Sequence, residues 1–266
     1  MESLFPSYSS LFELTKRRLR GLKKIASKNT GKINDQDAFL FMLIGNINLR
    51  LNTICFLMGN NISDGVYVLQ RTIYELQLAF ETYSRSSDKD KFLQLYFRKK
   101  DYETTNKWEK LVNSISDENS ELFSEIDKEI ISVMKDQSLI ALKESTKDRP
   151  LKVWYELASE KSTKQLSNEY LSDLEYFASY DEPSNWVHPQ RLEENMSNNF
   201  NQYIDDNYFR LLIGVLRWDV KWLAKDIVYI TNHLNISQSQ QLFEYGKKLS
   251  EYDGKLRNII LDEKEG

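Results

Sequence analysis

Cysteine is almost missing from this sequence: Cys55 is alone among 266 residues. A disulfide framework and a cysteine-rich zinc site are both excluded, and a reducing cytoplasm fits. Four prolines and nine glycines are too few for the many turns of an all-β protein. Histidine occurs only as His188 and His233. Neither completes the H-E-x-x-H of zinc proteases or the E-x-x-H of di-iron bundles, so no metal and no cofactor is expected. Carboxylates are abundant enough to leave an all-oxygen Mg²⁺ site open. The P-loop and the G-x-G-x-x-G turn are absent too. No basic segment followed by an apolar run opens the chain, so no signal peptide is expected. The most apolar stretch, residues 39–58, is broken by Gly45, Asn46, Asn48, Arg50, Asn52 and Thr53. These are costly in hydrocarbon, so the stretch reads as a buried helix and not as a membrane span.

What is present is helical periodicity nearly throughout. The spacing predicts helices over about 9–28, 35–59, 65–84, 88–112, 117–143, 153–159, 163–180 and 207–235. A last helix opens with the capping pattern Ser237-Gln238-Ser239-Gln240. Asn34 is a plausible cap for the second helix, which stops at Gly59-Asn60-Asn61. In the third, Val66, Leu69, Ile73, Leu76, Phe80 and Tyr83 recur by threes and fours. In the long helix near the end, Leu212, Leu216, Leu223, Ile227 and Ile230 are the core candidates. The expected fold is all-α: one bundle of eight or nine helices around an antiparallel hairpin of the second and third. A basic helix at 1–30 precedes the core at 31–235. The segment 236–266 packs on that core or extends from it.

Polar residues inside apolar helices carry the candidate chemistry. Arg71 and Glu75 stand one turn apart on the third helix. A surface ion pair is the plain explanation, but Arg before Glu is the poorer order and the helix is apolar on several sides. Asn46, Arg50 and Thr53 share one stripe of the second helix. Arg50 is the only charge between Asp37 and Asp64, and Glu75 is its expected partner. Such a cluster can equally fix packing register. The segment Pro183-Ser184-Asn185-Trp186-Val187-His188-Pro189 reads as a rigid proline-bracketed turn presenting an imidazole that titrates near neutral pH. His188 is either an acid/base or a packed, inert side chain. Ser184, Trp186 and Arg191 lie beside it as candidate substrate contacts, although no nucleophile elbow supports a serine hydrolase. His233, near a helix end, fits a dipole-complementing role.

The first helix is the electrostatic outlier. No acidic residue occurs from Leu14 to Asn34, while Lys16, Arg17, Arg18, Arg20, Lys23, Lys24, Lys28 and Lys32 do. Against a net charge of -4, this stripe suits phosphate backbone or an acidic partner, and equally an ordinary solvated face. Arg17, Arg18 and Arg20 are the candidate RNA contacts.

The segment Val68-Leu69-Gln70-Arg71-Thr72-Ile73-Tyr74-Glu75, followed much later by Tyr176, Ser184 and His188-Pro189, resembles a bacterial all-helical family known as domain of unknown function 5677. The resemblance covers about residues 31–230. It implies an all-α fold and a shared polar site at Arg71, Glu75 and His188, and brings no settled reaction. A fainter, fold-level likeness is to the helical (HEPN-like) ribonucleases of toxin and phage-defence systems. Their His follows an Arg by five to seven residues; neither His188 nor His233 does, so Arg71 and His188 would have to meet in space.

Two functions are therefore expected. One is a metal-independent, RNA-cleaving effector, with His188 as acid/base, Arg71 steadying the phosphorane and Glu75 orienting one of them. The other is a non-catalytic interaction domain, as a homodimer or with a partner protein, in which the same polar cluster is structural.

Overall fold

A computed structural model describes residues 6–28, 31–60, 62, 65–114, 124–147, 153–187, 206–236 and 240–262. The described residues contain helices and no strand, as an all-α fold requires. In chain order these are α1 (Ser9–Ala26), α2 (Asp35–Gly59), α3 (Val66–Arg85), α4 (Lys89–Asn113), α5 (Glu125–Thr146), α6 (Trp154–Ser159) and α7 (Thr163–Tyr170). Then come α8 (Asp173–Tyr176), a π-helical turn (Phe177–Asp181), α9 (Glu182–Val187), α10 (Asp206–His233) and α11 (Gln240–Asp262). Where the sequence suggests a single bundle, the chain gathers into two compact units: residues 1–81 with 166–266, and residues 82–165.

The first unit contains the central helices. The α2 helix starts where Asn34 accepts from the backbone N–H of Asp37 at 2.7 Å and donates to its carboxylate at 3.1 Å. Asp37 in turn meets His233 Nε2 at 2.8 Å, tying the end of α10 to the start of α2. These two helices therefore run antiparallel. The α3 helix runs parallel to α10, because Gln70 bonds Asp219 and Gln77 bonds Asp226, with equal steps along both helices. Leu212, Leu216, Leu223, Ile227 and Ile230 are all buried, so the 3.6-residue period identified this face correctly.

By length and composition α2 is apolar enough to cross a membrane, and half of that apolar window is buried inside the protein. It packs mainly against α1 and α10. Burial pushes the Cys55 thiol up to about 12, so it is neutral beside the Tyr252 hydroxyl at 3.2 Å. The α11 helix lies along α1, joined by Thr15 with Tyr245 at 2.9 Å and by the Tyr8–Tyr252 ring pair. It is also clamped to α10 by the two-pronged Arg217–Asp253 pair at 2.7 and 3.1 Å.

The second unit is built on the antiparallel α4–α5 pair. Arg98 donates to the Ala141 carbonyl at 3.0 Å, Thr105 meets Ser138 at 2.9 Å, and Lys135 meets Glu109 at 3.5 Å. Trp154 of α6 closes one end against Phe92 and Tyr96. Ser124 and Asp127 form a reciprocal capping box, so the described α5 starts at Glu125. The first seven residues of the helix expected from 117 lie outside the described residues.

Two other expectations shift. The helix predicted over 163–180 breaks at Leu171, because Ser172 accepts from the Glu175 N–H at 3.2 Å and donates to its carboxylate at 2.8 Å. Ser172-Asp173-Leu174-Glu175 has the S-x-x-E sequence of a capping box, and Ser172 is the N-cap that restarts the helix. Ser172→Ala is expected to lower stability by about 1 kcal/mol in a urea titration.

The proline-bracketed turn is also corrected: residues 182–187 are helical, with Pro183 inside. Proline has no N–H and clashes with the carbonyl four residues back. The turn before it is widened, and the Glu182 N–H bonds the Phe177 carbonyl five residues back. This π-turn lets the helix absorb Pro183 without ending.

Candidate functional site

The π-turn brings Tyr180 onto α3. The Arg71 guanidinium lies 4.8 Å from the centre of the Tyr180 ring, and its Nη2 donates to the Tyr180 hydroxyl at 3.4 Å. Arg71 Nε donates to Glu75 at 3.2 Å. Both charged side chains stay partly open, at 27% and 37% exposure. The guanidinium is therefore held on two sides, and among the described residues nothing bonds its Nη1, which suits a residue that meets an anion from solvent.

Beneath this pair lies an aromatic floor. Tyr74 contacts Tyr176, Tyr180 and Trp222, with ring centres 6.3, 5.7 and 6.1 Å apart. Its hydroxyl is in a close hydrogen bond with Ser167, and burial raises its pKa. Trp222 donates to Glu175 at 3.2 Å. Each of α3, α7, α8, the π-turn and α10 contributes a side chain, so the site is a convergence of elements distant in sequence.

Several expected members stand elsewhere. Arg50 does not meet Glu75. It turns back along its own helix onto Asn46, bonding the Oδ1 at 2.8 Å and the carbonyl at 3.2 Å. A side chain four residues away is always in reach on a helix, whereas Glu75 is already engaged by Arg71. Burial lowers the Arg50 pKa. Asn46 also donates to the Met42 carbonyl at 2.8 Å. The Ser184 hydroxyl donates to the Tyr180 carbonyl, a helical back-bond that leaves it a poor nucleophile candidate. The Trp186 side chain, His188, Pro189 and Arg191 lie outside the described residues. On α1, Arg17 and Arg20 are exposed and Arg18 is half-buried.

A second polar group escaped the sequence reading. Gln70, Gln77, Asp219 and Asp226 are completely buried between α3 and α10. Gln70 Nε2 donates to Asp219 at 3.1 Å, and Gln77 Nε2 donates to Asp226 at 3.2 Å. Desolvation drives both carboxyls well above the ordinary aspartate range, only partly opposed by the glutamine bonds. The available signal was the repeat of seven residues, present once in each helix on the apolar stripe. Among the described residues no three His, Cys, Asp or Glu groups gather to hold a metal.

No curated protein and no solved structure matches this chain significantly. The likeness to the helical ribonucleases thus gains no support from relatives. The model of a family of unknown function (DUF5677) matches residues 37–206. That range is narrower than the expected 31–230, leaving out α1 and nearly all of α10, but it contains Arg71, Glu75, Tyr180 and His188. This chain belongs to the family of unknown function DUF5677.

Proposed function

We propose that this protein is an RNA-directed effector of a toxin or phage-defence kind, cleaving phosphodiester bonds without a metal. The observation that carries the reading is the half-open Arg71 guanidinium, braced by Glu75 and held beside the Tyr180 ring. A guanidinium fixed before substrate arrives can stabilise charge developing on a phosphorane oxygen with little reorganisation. His188, the residue after α9, is the acid/base. It takes the proton from a ribose 2′-hydroxyl as that oxygen attacks phosphorus. The bond from phosphorus to the 5′-oxygen breaks, the imidazolium returns that proton to the leaving 5′-oxygen, and a 2′,3′-cyclic phosphate remains. Glu75 is a positioning residue that holds Arg71. Exposed Arg17 and Arg20 on α1 supply favourable charge for the RNA backbone.

The test is growth and total-RNA integrity in bacteria expressing wild type, His188→Ala or Arg71→Lys. Wild type is expected to arrest growth and fragment RNA. His188→Ala is expected to lose about 100-fold or more of the cleavage rate. Arg71→Lys keeps the charge but loses the planar fork, and falls well below wild type. Intact RNA with wild type, in cells and with purified protein, would favour the non-catalytic interaction domain instead.

A further inference from the structure

The α5 helix has two apolar faces, and only one of them is covered. Its inner side packs on α4, where Ser138 and Lys135 meet Thr105 and Glu109, and Leu142 is buried. On its outer side Ile126, Ile130, Val133, Met134 and Ile140 are 49–69% exposed. Single exposed apolar residues are ordinary, but a group of them on one face of one helix marks an interaction surface. Ile126, Ile130, Val133, Gln137 and Ile140 recur by steps of four and three. That is the heptad period of a seam between two paired helices, with Gln137 as the polar member that fixes register.

The charges beside this seam select its occupant. Glu129 and Lys143 stand on the same edge, two heptads apart; both are exposed, and neither has an ion-pair partner among the described residues. When a second α5 is laid antiparallel, Ile130 meets Ile140 of the partner subunit and Val133 meets the partner's Gln137. Glu129 then meets the partner's Lys143, and each contact occurs twice about the two-fold axis. On the axis itself Met134 faces its copy along one edge and Asp136 faces its copy along the other. Lys135, 3.1 Å from the Asp136 carboxylate, offsets that repulsion. A parallel pair would instead set Glu144 against Glu144 of the partner subunit inside the seam, with Glu129 facing the partner's Met134. The bordering Asp127, Glu129, Asp136 and Glu144 also disfavour an anionic lipid surface. Because α5 is already folded on α4, a short seam need not supply the cost of forming the helix.

We infer that the outer face of α5 is a dimer interface, on which a second copy of this chain lays its own α5 antiparallel. The interface belongs to the second unit and Arg71 to the first, so it stands whether or not RNA is cleaved.

Sedimentation equilibrium of the full chain compares wild type with Ile130→Ser/Ile140→Ser, Glu129→Lys and Glu129→Lys/Lys143→Glu. Wild type is expected at twice its chain mass of 31.5 kDa. The serine pair is expected at the chain mass itself with unchanged circular dichroism, because both isoleucines are more than half exposed in a single chain. Glu129→Lys sets two pairs of lysines face to face and weakens the dimer about tenfold; adding Lys143→Glu restores it. The two residues lie about 21 Å apart along one helix, so that rescue can pass only between copies. A wild-type monomer at every concentration up to about 100 μM overturns the inference, and so does a dimer that survives the serine pair. Failure of the second charge change to restore the dimer overturns the antiparallel pairing.

Discussion

Replacing Asp219 and Asp226 together by asparagine is expected to stabilise the protein at neutral pH and flatten its dependence on pH. The two carboxyls lie completely buried, each accepting from one glutamine amide. Four atoms in these pairs, Oδ2 of each aspartate and Oε1 of each glutamine, are buried with no hydrogen-bond partner among the described residues. A proton on each Asp Oδ2 accounts for all four at once. It lets the acid donate to the glutamine Oε1 while the glutamine Nε2 donates to Oδ1, closing a ring of two hydrogen bonds. Desolvation drives both groups towards this protonated form, and Glu175 near Asp219 and Glu81 near Asp226 act in the same direction. Lys225 opposes it at Asp226, more weakly.

The sign follows from proton linkage. The folded protein holds these two protons at a pH where the unfolded chain, with ordinary values of about 3.9, has released them. The folded state binds more protons, so stability is full below that unfolded value and falls as pH rises towards the raised folded value. Each group contributes a slope of about 1.4 kcal/mol per pH unit within that window. Asparagine keeps the shape and offers the same donor and acceptor without titrating. The double variant is therefore expected to gain about 3 kcal/mol or more at pH 7 and little at pH 4. Urea unfolding at a series of pH values checks it; parallel curves for wild type and variant would mean that the carboxyls are ionised in the fold.

Trp222→Ala should have the opposite and comparably large effect. Trp222 is 2% exposed, packs against Tyr74, and donates to Glu175. It joins α10 to α3 and to α8, from which the π-turn carrying Tyr180 follows. Truncating a buried tryptophan leaves a cavity and costs about 3–5 kcal/mol. Trp222→Phe keeps most of the packing and loses the hydrogen bond, at about 1–2 kcal/mol. Thermal melting ranks the three proteins, with phenylalanine expected between the others. If alanine melts like phenylalanine, the indole bond rather than its bulk holds this junction.

Some of this architecture was open to sequence reading because its causes are local. The caps at Asn34 and the 3.6-residue apolar period of α10 act within a few residues, so helix positions follow from neighbouring letters. Arg71 with Glu75 was legible for the same reason, since four residues on a helix bring two side chains together. The break at Ser172 was just as local and was overlooked because the apolar period of the neighbouring segments runs through it. Tyr180 was not legible as the partner of Arg71: their meeting depends on a π-turn 109 residues away in the chain.

The sequence by itself determined an all-α protein, the limits of most helices and a basic first helix. Helix propensity, capping and periodicity are short-range forces, and a single chain displays them. The tertiary structure alone decided that Arg50 bonds Asn46 and that Gln70 and Gln77 lie against Asp219 and Asp226. Which buried polar group meets which is set by helices 149 residues apart. The cost of desolvating a carboxyl or a guanidinium depends on every element packed around it, and no local pattern of residues records that.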